Sequence, residues 1–100
     1  MDNIFKRCVM DMGKYVGKVV IVKVIFFKKF TMLEFHYVKN VDEIYVCYCM
    51  PPGYNILVKS KSNGGIPCDK YNYENDYEII AYFEDDSAIK RILNECNVQP

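Results

Sequence analysis

The chain has 100 residues, of which 51% are hydrophobic and 26% are charged, with 13 basic and 13 acidic residues. A chain of this length forms one domain with a modest core, and this composition is typical of a folded protein rather than a disordered one. Because the net charge is zero, long-range attraction to nucleic acid or to an anionic membrane is excluded, and any such binding requires a local patch.

The cysteines and the codon bias indicate where the protein works. The chain has five cysteines, and its first residues, MDNIFKRCVMDM, include acids where a secretory signal has an apolar run. We therefore expect free thiols in a reducing, cytoplasmic compartment. Amino acids with AT-rich codons, such as Lys, Ile, Tyr and Asn, greatly outnumber those with GC-rich codons. An AT-rich genome is expected, such as that of a low-GC bacterium, a mobile element or a large virus.

The first two predicted elements are a helix and a strand. Residues 3–12 have apolar residues at helical spacing with Gly13 after them, which predicts a short amphipathic helix. The segment GKVVIVKVIFFKKF, residues 17–30, is too short and too interrupted by lysines to span a membrane. Its apolar residues would surround a helix on all sides, so it does not suit a membrane surface. Its β-branched residues predict a central strand that is apolar on both faces, with a bulge or register shift near Lys23.

Three further strands are predicted in the middle of the chain. Residues 32–38, MLEFHYV, alternate between a buried face and a solvated face that carries Glu34 and His36. After a turn at residues 39–43, IYVCYCM at 44–50 places Cys47 and Cys49 on one face and ends at Pro51. Residues 54–60, YNILVKS, form a fourth strand, and Asn63–Gly64 is a tight-turn signal.

The last third of the chain is predicted as loop, strand and helix. Residues 66–76 are polar and tyrosine-rich, which is typical of an exposed loop. YEIIAYFE at 77–84 alternates Tyr77, Ile79, Ala81 and Phe83 with the intervening residues, which predicts a fifth strand. Cap candidates at 85–87 then precede a helical stripe of four residues, Ile89, Ile92, Leu93 and Cys96.

This order predicts a single α+β domain over residues 1–100. We expect about five mostly antiparallel strands in one twisted sheet, flanked by a short N-terminal helix and a C-terminal helix. A small, strongly bent barrel is the alternative fold.

No constellation of residues points to catalysis or to a metal. Cys47 and Cys49 could be half of a zinc site completed by Cys68, Cys96 or His36, but structural zinc sites usually show two such pairs. We interpret the thiols as small buried hydrophobes. Glu34 and His36 resemble a base with its orienting carboxylate, yet no nucleophile accompanies them, and we interpret them as a surface pair. We therefore expect no enzyme activity, no cofactor and no metal.

The tyrosines suggest a binding surface for protein. Exposed tyrosines beside carboxylates are typical of surfaces that bind another protein, especially a basic one. This acidic and aromatic set comprises Tyr71, Tyr73, Glu74, Asp76, Tyr77 and Glu78. The sequence thus favours a non-enzymatic interaction module that binds a larger intracellular protein, such as a regulator or inhibitor of the counter-defence type encoded by a virus or mobile element.

Two variants of this hypothesis stay open, while no membrane association is expected. An exposed edge strand would also permit a homodimer. The alternative function is a small nucleic-acid-binding domain with a face of lysines and tyrosines. Its candidate lysines are Lys28, Lys29, Lys59 and Lys61.

Overall fold

A computed structural model describes residues 13–41, 43–51, 53, 55–59 and 75–100. Its elements are β1 (Val19–Phe26), β2 (Phe30–Asn40), β3 (Glu43–Met50), β4 (Val58–Lys59), β5 (Asn75–Phe83) and α1 (Asp86–Glu95). The helix predicted over residues 3–12 and the turn predicted at Asn63–Gly64 lie outside the described residues. Within the described ranges, no helix has the length and apolar composition needed to cross a membrane.

The five strands form one antiparallel sheet in the order β4-β3-β2-β1-β5. Strands β1 to β4 follow one another as a meander, and β5 returns to pair with the free side of β1. The predicted antiparallel sheet of five strands is confirmed. The described strands leave the sheet open, with β4 and β5 at opposite edges, so they do not form the alternative barrel.

Strand β1 lies inside the sheet, with one face buried along most of the strand and the other face buried at Val19 and half-buried beyond it. Val19, Val20, Val22 and Val24 are each at most 1% exposed. Val19 belongs to a buried cluster on one face, and the other three valines belong to a second cluster on the opposite face. Apolar contacts on both sides of a central strand explain why this strand has an almost continuous apolar sequence.

Helix α1 covers one of these faces, which we call the helix face. Ile89 and Leu93 of α1 pack there with Val19 of β1, Tyr37 of β2 and Cys47 of β3. This confirms the predicted apolar stripe of the C-terminal helix. Burial of such a stripe against a sheet is the main source of stability for a helix of only ten residues.

Both ends of α1 have specific caps. Asp85 is the N-cap residue, and its carboxylate accepts a hydrogen bond from the Ala88 amide at 3.1 Å. At the other end, Asn97 has a φ of 56°, and the Val98 amide donates to the Leu93 carbonyl at 2.9 Å. This is the Schellman arrangement, in which a left-handed residue turns the chain back onto the last helical turn.

Strict alternation of side chains breaks at three extra residues in the strand ladders. Lys39 in β2 and Cys47 in β3 have no partner in the pairing of these two strands, and Ile80 in β5 has none in β1. The predicted irregularity of β1 near Lys23 is found as a register shift in its pairing with β5, between Ile21 and Val22. Each extra residue reverses the alternation beyond it, as expected of a β-bulge.

Because of the bulge at Ile80, the two ends of β5 do not face the sides of the sheet that were predicted. Tyr77 and Ile79 pack against the Val20 cluster, whereas Phe83 packs against the Val19 cluster on the helix face. The prediction placed all three side chains on one face. It was wrong because the extra residue shifts the following part of the strand by one position.

The predicted solvated position of His36 is also wrong. His36 is only 2% exposed and lies opposite Val20 in β1 and Val46 in β3. The alternation of β2 itself was predicted correctly, but both faces of the sheet are covered at this point. A polar residue on an alternating strand therefore does not by itself identify the solvated face.

Strands β1 and β2 are joined by a tight hairpin over Phe27–Lys29. The Lys29 amide donates to the Phe26 carbonyl at 2.8 Å, and Phe27 and Lys28 have φ values of 50° and 58°. Positive φ at both central residues is the backbone of the primed turns that match strand twist, where Asn and Gly are preferred. Phe27 and Lys28 adopt it at a cost in backbone strain.

Candidate functional site

The open side of β5 is the longest edge that the described residues present. This strand has nine residues and pairs with β1 alone among the described strands, whereas β4 at the other edge has two. Ile80 and Tyr82 on β5 are 49% and 45% exposed. An edge of this length with exposed apolar side chains is a template for pairing with another chain.

Three residues of the predicted protein-binding set lie at the start of this strand. Asp76 and Glu78 are exposed, and Tyr77 between them is half-buried against the core. The strand begins two residues earlier than predicted, so these side chains are held by the β1 ladder rather than by a loop. The other three members, Tyr71, Tyr73 and Glu74, lie outside the described residues.

A shallow depression of about 390 Å³ lies beside this part of the edge. It is lined by Lys23, Ile25, Asp76, Tyr77 and Glu78. Strand pairing explains why these residues meet, since Lys23 is opposite Glu78 and Ile25 is opposite Asp76 in the β1–β5 ladder. Directly opposite residues share a face, so a cation, two carboxylates and an isoleucine are brought together on one surface.

The carboxylates of this depression form no close ion pair with a described cation. The ion pairs among the described residues are His36–Glu34 and Lys39–Glu43, so neither Asp76 nor Glu78 is paired within them. Residues 75–88 contain five carboxylates and no lysine or arginine. Among the described residues, the start of β5 therefore carries more negative than positive charge.

The lysines of the alternative nucleic-acid site are not brought together. Lys28 and Lys29 lie in the β1–β2 hairpin, whereas Lys59 lies on β4 opposite Tyr48, and Tyr48 is opposite Phe35 of β2. Phe35 is five residues along β2 from the hairpin end at Phe30, which is roughly 16 Å at the usual strand rise. Lys61 lies outside the described residues.

Cys47 and Cys49 do not form the predicted one-sided pair. The bulge places Cys47 in the buried cluster under α1, while Cys49 is opposite Glu34 on the other face. Burial raises the pKa of both thiols, and the charge of Glu34 adds to the rise at Cys49. Within the described residues no three metal-binding side chains come together, and Cys68 lies outside them.

Glu34 and His36 form a close pair on the face of the sheet that carries Val20. His36 Nε2 lies 2.7 Å from Glu34 Oε1, and the side chains are 2% and 17% exposed. A substrate would need access to the imidazole to use it as a base, and this imidazole is buried. The pair therefore suits a structural role in the sheet.

Two features of the candidate site were missed at the sequence level. Lys23 was interpreted as a break in an apolar strand, and its cross-strand position beside Glu78 follows from a pairing 55 residues away in sequence. Phe27 and Phe30 are 55% and 45% exposed at the hairpin, although they end an apolar run. The two lysines that separate these phenylalanines, in FFKKF, interrupt the apolar run and could have indicated this hairpin.

Comparisons with known proteins identify no relative of this chain. The sequence matches no protein-family model, and neither curated proteins nor solved structures give a match to the chain. Function is therefore inferred from the sheet edge and the side chains described above.

Proposed function

We propose that this protein is a non-enzymatic interaction module that binds a larger protein through the edge of β5 that no described strand covers. The observation that carries this proposal is the nine-residue edge strand with exposed Ile80 and Tyr82 and with two carboxylates unpaired among the described residues. Main-chain groups on such an edge supply affinity, and the side chains beside it supply specificity.

A regulatory or inhibitory role suits a protein of this kind. A small domain with an exposed strand edge can act by occupying a partner's surface, and tyrosine beside carboxylates suits a basic partner. The AT-rich codon usage is consistent with a gene from a virus or mobile element, which makes a host protein the expected partner. We propose that this binding occurs in a reducing, intracellular compartment.

The proposal is tested by a pull-down from host-cell lysate, with and without nuclease, with three baits. Wild-type protein is compared with Ile80→Lys, which places a charge on the exposed edge, and with a double variant, Lys28→Ala with Lys29→Ala. We expect one protein to be retained by the wild type and the lysine variant, to be lost with Ile80→Lys, and to survive nuclease. Retention by all three baits would show that the β5 edge is not the site.

A second candidate function is supported by the hairpin. Lys28 and Lys29 lie beside Phe27 and Phe30, whose rings are about half exposed, and aromatic rings beside lysines are the means by which single-stranded nucleic acid is bound. In the same pull-down, this alternative predicts material that disappears with nuclease and with the double lysine variant but persists with Ile80→Lys.

A further inference from the structure

The bulge at Ile80 divides the β5 edge into two parts, of which only the first is regular enough to pair with a further strand. On its N-terminal side, residues 75–79 pair with β1 in unbroken register, and beyond it only residues 81–83 do so. Bulges disrupt the addition of a further strand because the extra residue kinks the edge. A new strand therefore has one regular stretch of five residues to pair with, and this stretch borders the depression.

The charge of that stretch argues against a second copy of the same chain. If two β5 strands paired antiparallel about Tyr77, Asp76 of one copy would lie opposite Glu78 of the other. Like charges directly opposite each other destabilise a pair of strands. The stretch contains no cation that would compensate them. In this register the charges favour a segment of another protein with basic side chains over a second β5 strand.

From these observations we infer that the partner contributes an extended basic segment, which adds beside residues 75–79 as a sixth strand and places a lysine or arginine side chain in the depression next to Asp76 and Glu78. This inference rests on the proposed function and specifies the chemistry of the partner. The depression has two carboxylates and one amine, so it keeps a net negative charge with Lys23 present. Ile25 also lines the depression, and the aliphatic part of the incoming side chain would pack against it.

The test uses the full-length protein and synthetic peptides, with affinity measured by isothermal titration calorimetry. The first peptide alternates lysine with valine and threonine, and the second has glutamate at every lysine position. Two further peptides have the sequence of the first and carry N-methyl groups on alternate backbone amides. One is methylated at the odd positions and the other at the even positions. A methylated amide cannot donate a hydrogen bond to the neighbouring strand. We expect the lysine peptide to bind, the glutamate peptide to bind at least about tenfold more weakly, and one N-methylated peptide to lose binding.

Protein variants provide the matched control. Asp76→Lys combined with Glu78→Lys reverses two exposed charges in the depression and is expected to reverse the preference between the lysine and glutamate peptides. Glu84→Lys changes an exposed carboxylate just beyond β5 and is expected to leave both affinities within about twofold, because a charge outside the contact acts only through solvent. Thermal melting shows that each variant is folded.

The outcomes separate this inference from the proposed function. Equal binding of the lysine and glutamate peptides, or equal binding of all N-methylated peptides, would overturn the basic-strand inference. If the cellular partner is lost with Ile80→Lys but kept by the Asp76→Lys, Glu78→Lys variant, the β5 edge still binds protein and only the inference fails. If Ile80→Lys keeps the partner, the proposed function fails as well.

Discussion

The Cys96 thiol donates a hydrogen bond to the backbone carbonyl of Cys47, with 3.1 Å between sulfur and oxygen, and so joins the end of α1 to the bulge of β3. Cys47 is completely buried and Cys96 is 3% exposed. Burial is the largest cause that raises the pKa of Cys47 to about 12, and the neighbouring Cys96 adds to it. Burial also raises the pKa of Cys96. Both thiols are therefore protonated at neutral pH.

This junction predicts a loss of stability in alkaline solution. Burial raises the pKa of Cys47 from the ordinary thiol value of 9.0, expected for the unfolded chain, to about 12 in the folded chain. Between these values the unfolded state binds fewer protons than the folded state, so the free energy of unfolding falls as pH rises. Urea unfolding at several pH values under reducing conditions should show a smaller fall for Cys47→Ala than for the wild type. Parallel pH profiles of the two proteins would contradict the assignment.

The hairpin between β1 and β2 should become more stable with residues that suit its backbone. Phe27 and Lys28 have positive φ without being glycine or asparagine, which costs backbone strain. Phe27→Asn combined with Lys28→Gly should raise the free energy of unfolding by about 1–2 kcal/mol. Urea denaturation measures this change, and a decrease would show that the Phe27 ring contributes packing that outweighs the strain.

The buried pair of Glu34 and His36 should contribute far more than the exposed pair of Lys39 and Glu43. Glu34→Ala removes the carboxylate partner of an imidazole that is 2% exposed, which should cost about 1–3 kcal/mol. In the second pair the amine and carboxylate are 3.9 Å apart and both side chains are 35% exposed. Lys39→Ala should therefore change stability by no more than about 0.5 kcal/mol. Similar losses in the two variants would argue against a buried role for His36.

The end of α1 should respond to the residue at position 97. Asn97 has a φ of 56° and allows Val98 to pack under the helix, where it is 4% exposed. Asn97→Gly should keep or slightly increase stability, because glycine adopts this conformation without a steric cost. A β-branched residue there, as in Asn97→Val, should cost about 1–2 kcal/mol. Thermal melts of the two variants test this order, and an equal loss in both would contradict it.

The sequence predicts which segments are strands much better than it predicts which way their side chains point. The apolar run of β1 and the stripe of α1 are each local patterns, and both are confirmed by the burial of Val22 and Leu93. A bulge depends on how two strands of different sequence fit together, so the extra residues at Cys47 and Ile80 leave no reliable local signal. For the same reason the depression beside Glu78 was only half predicted, since Lys23 comes from another strand.

The position of β5 beside β1 has a consequence during synthesis. Strand β2 follows β1 after three residues, but β5 begins 49 residues after β1 ends, at Asn75. Before β5 is made, the side of β1 that pairs with β5 is uncovered. Apolar segments of this kind aggregate readily when they are exposed. A fragment that ends before Asn75 should therefore aggregate more readily than the full chain, because it leaves this side of β1 without β5.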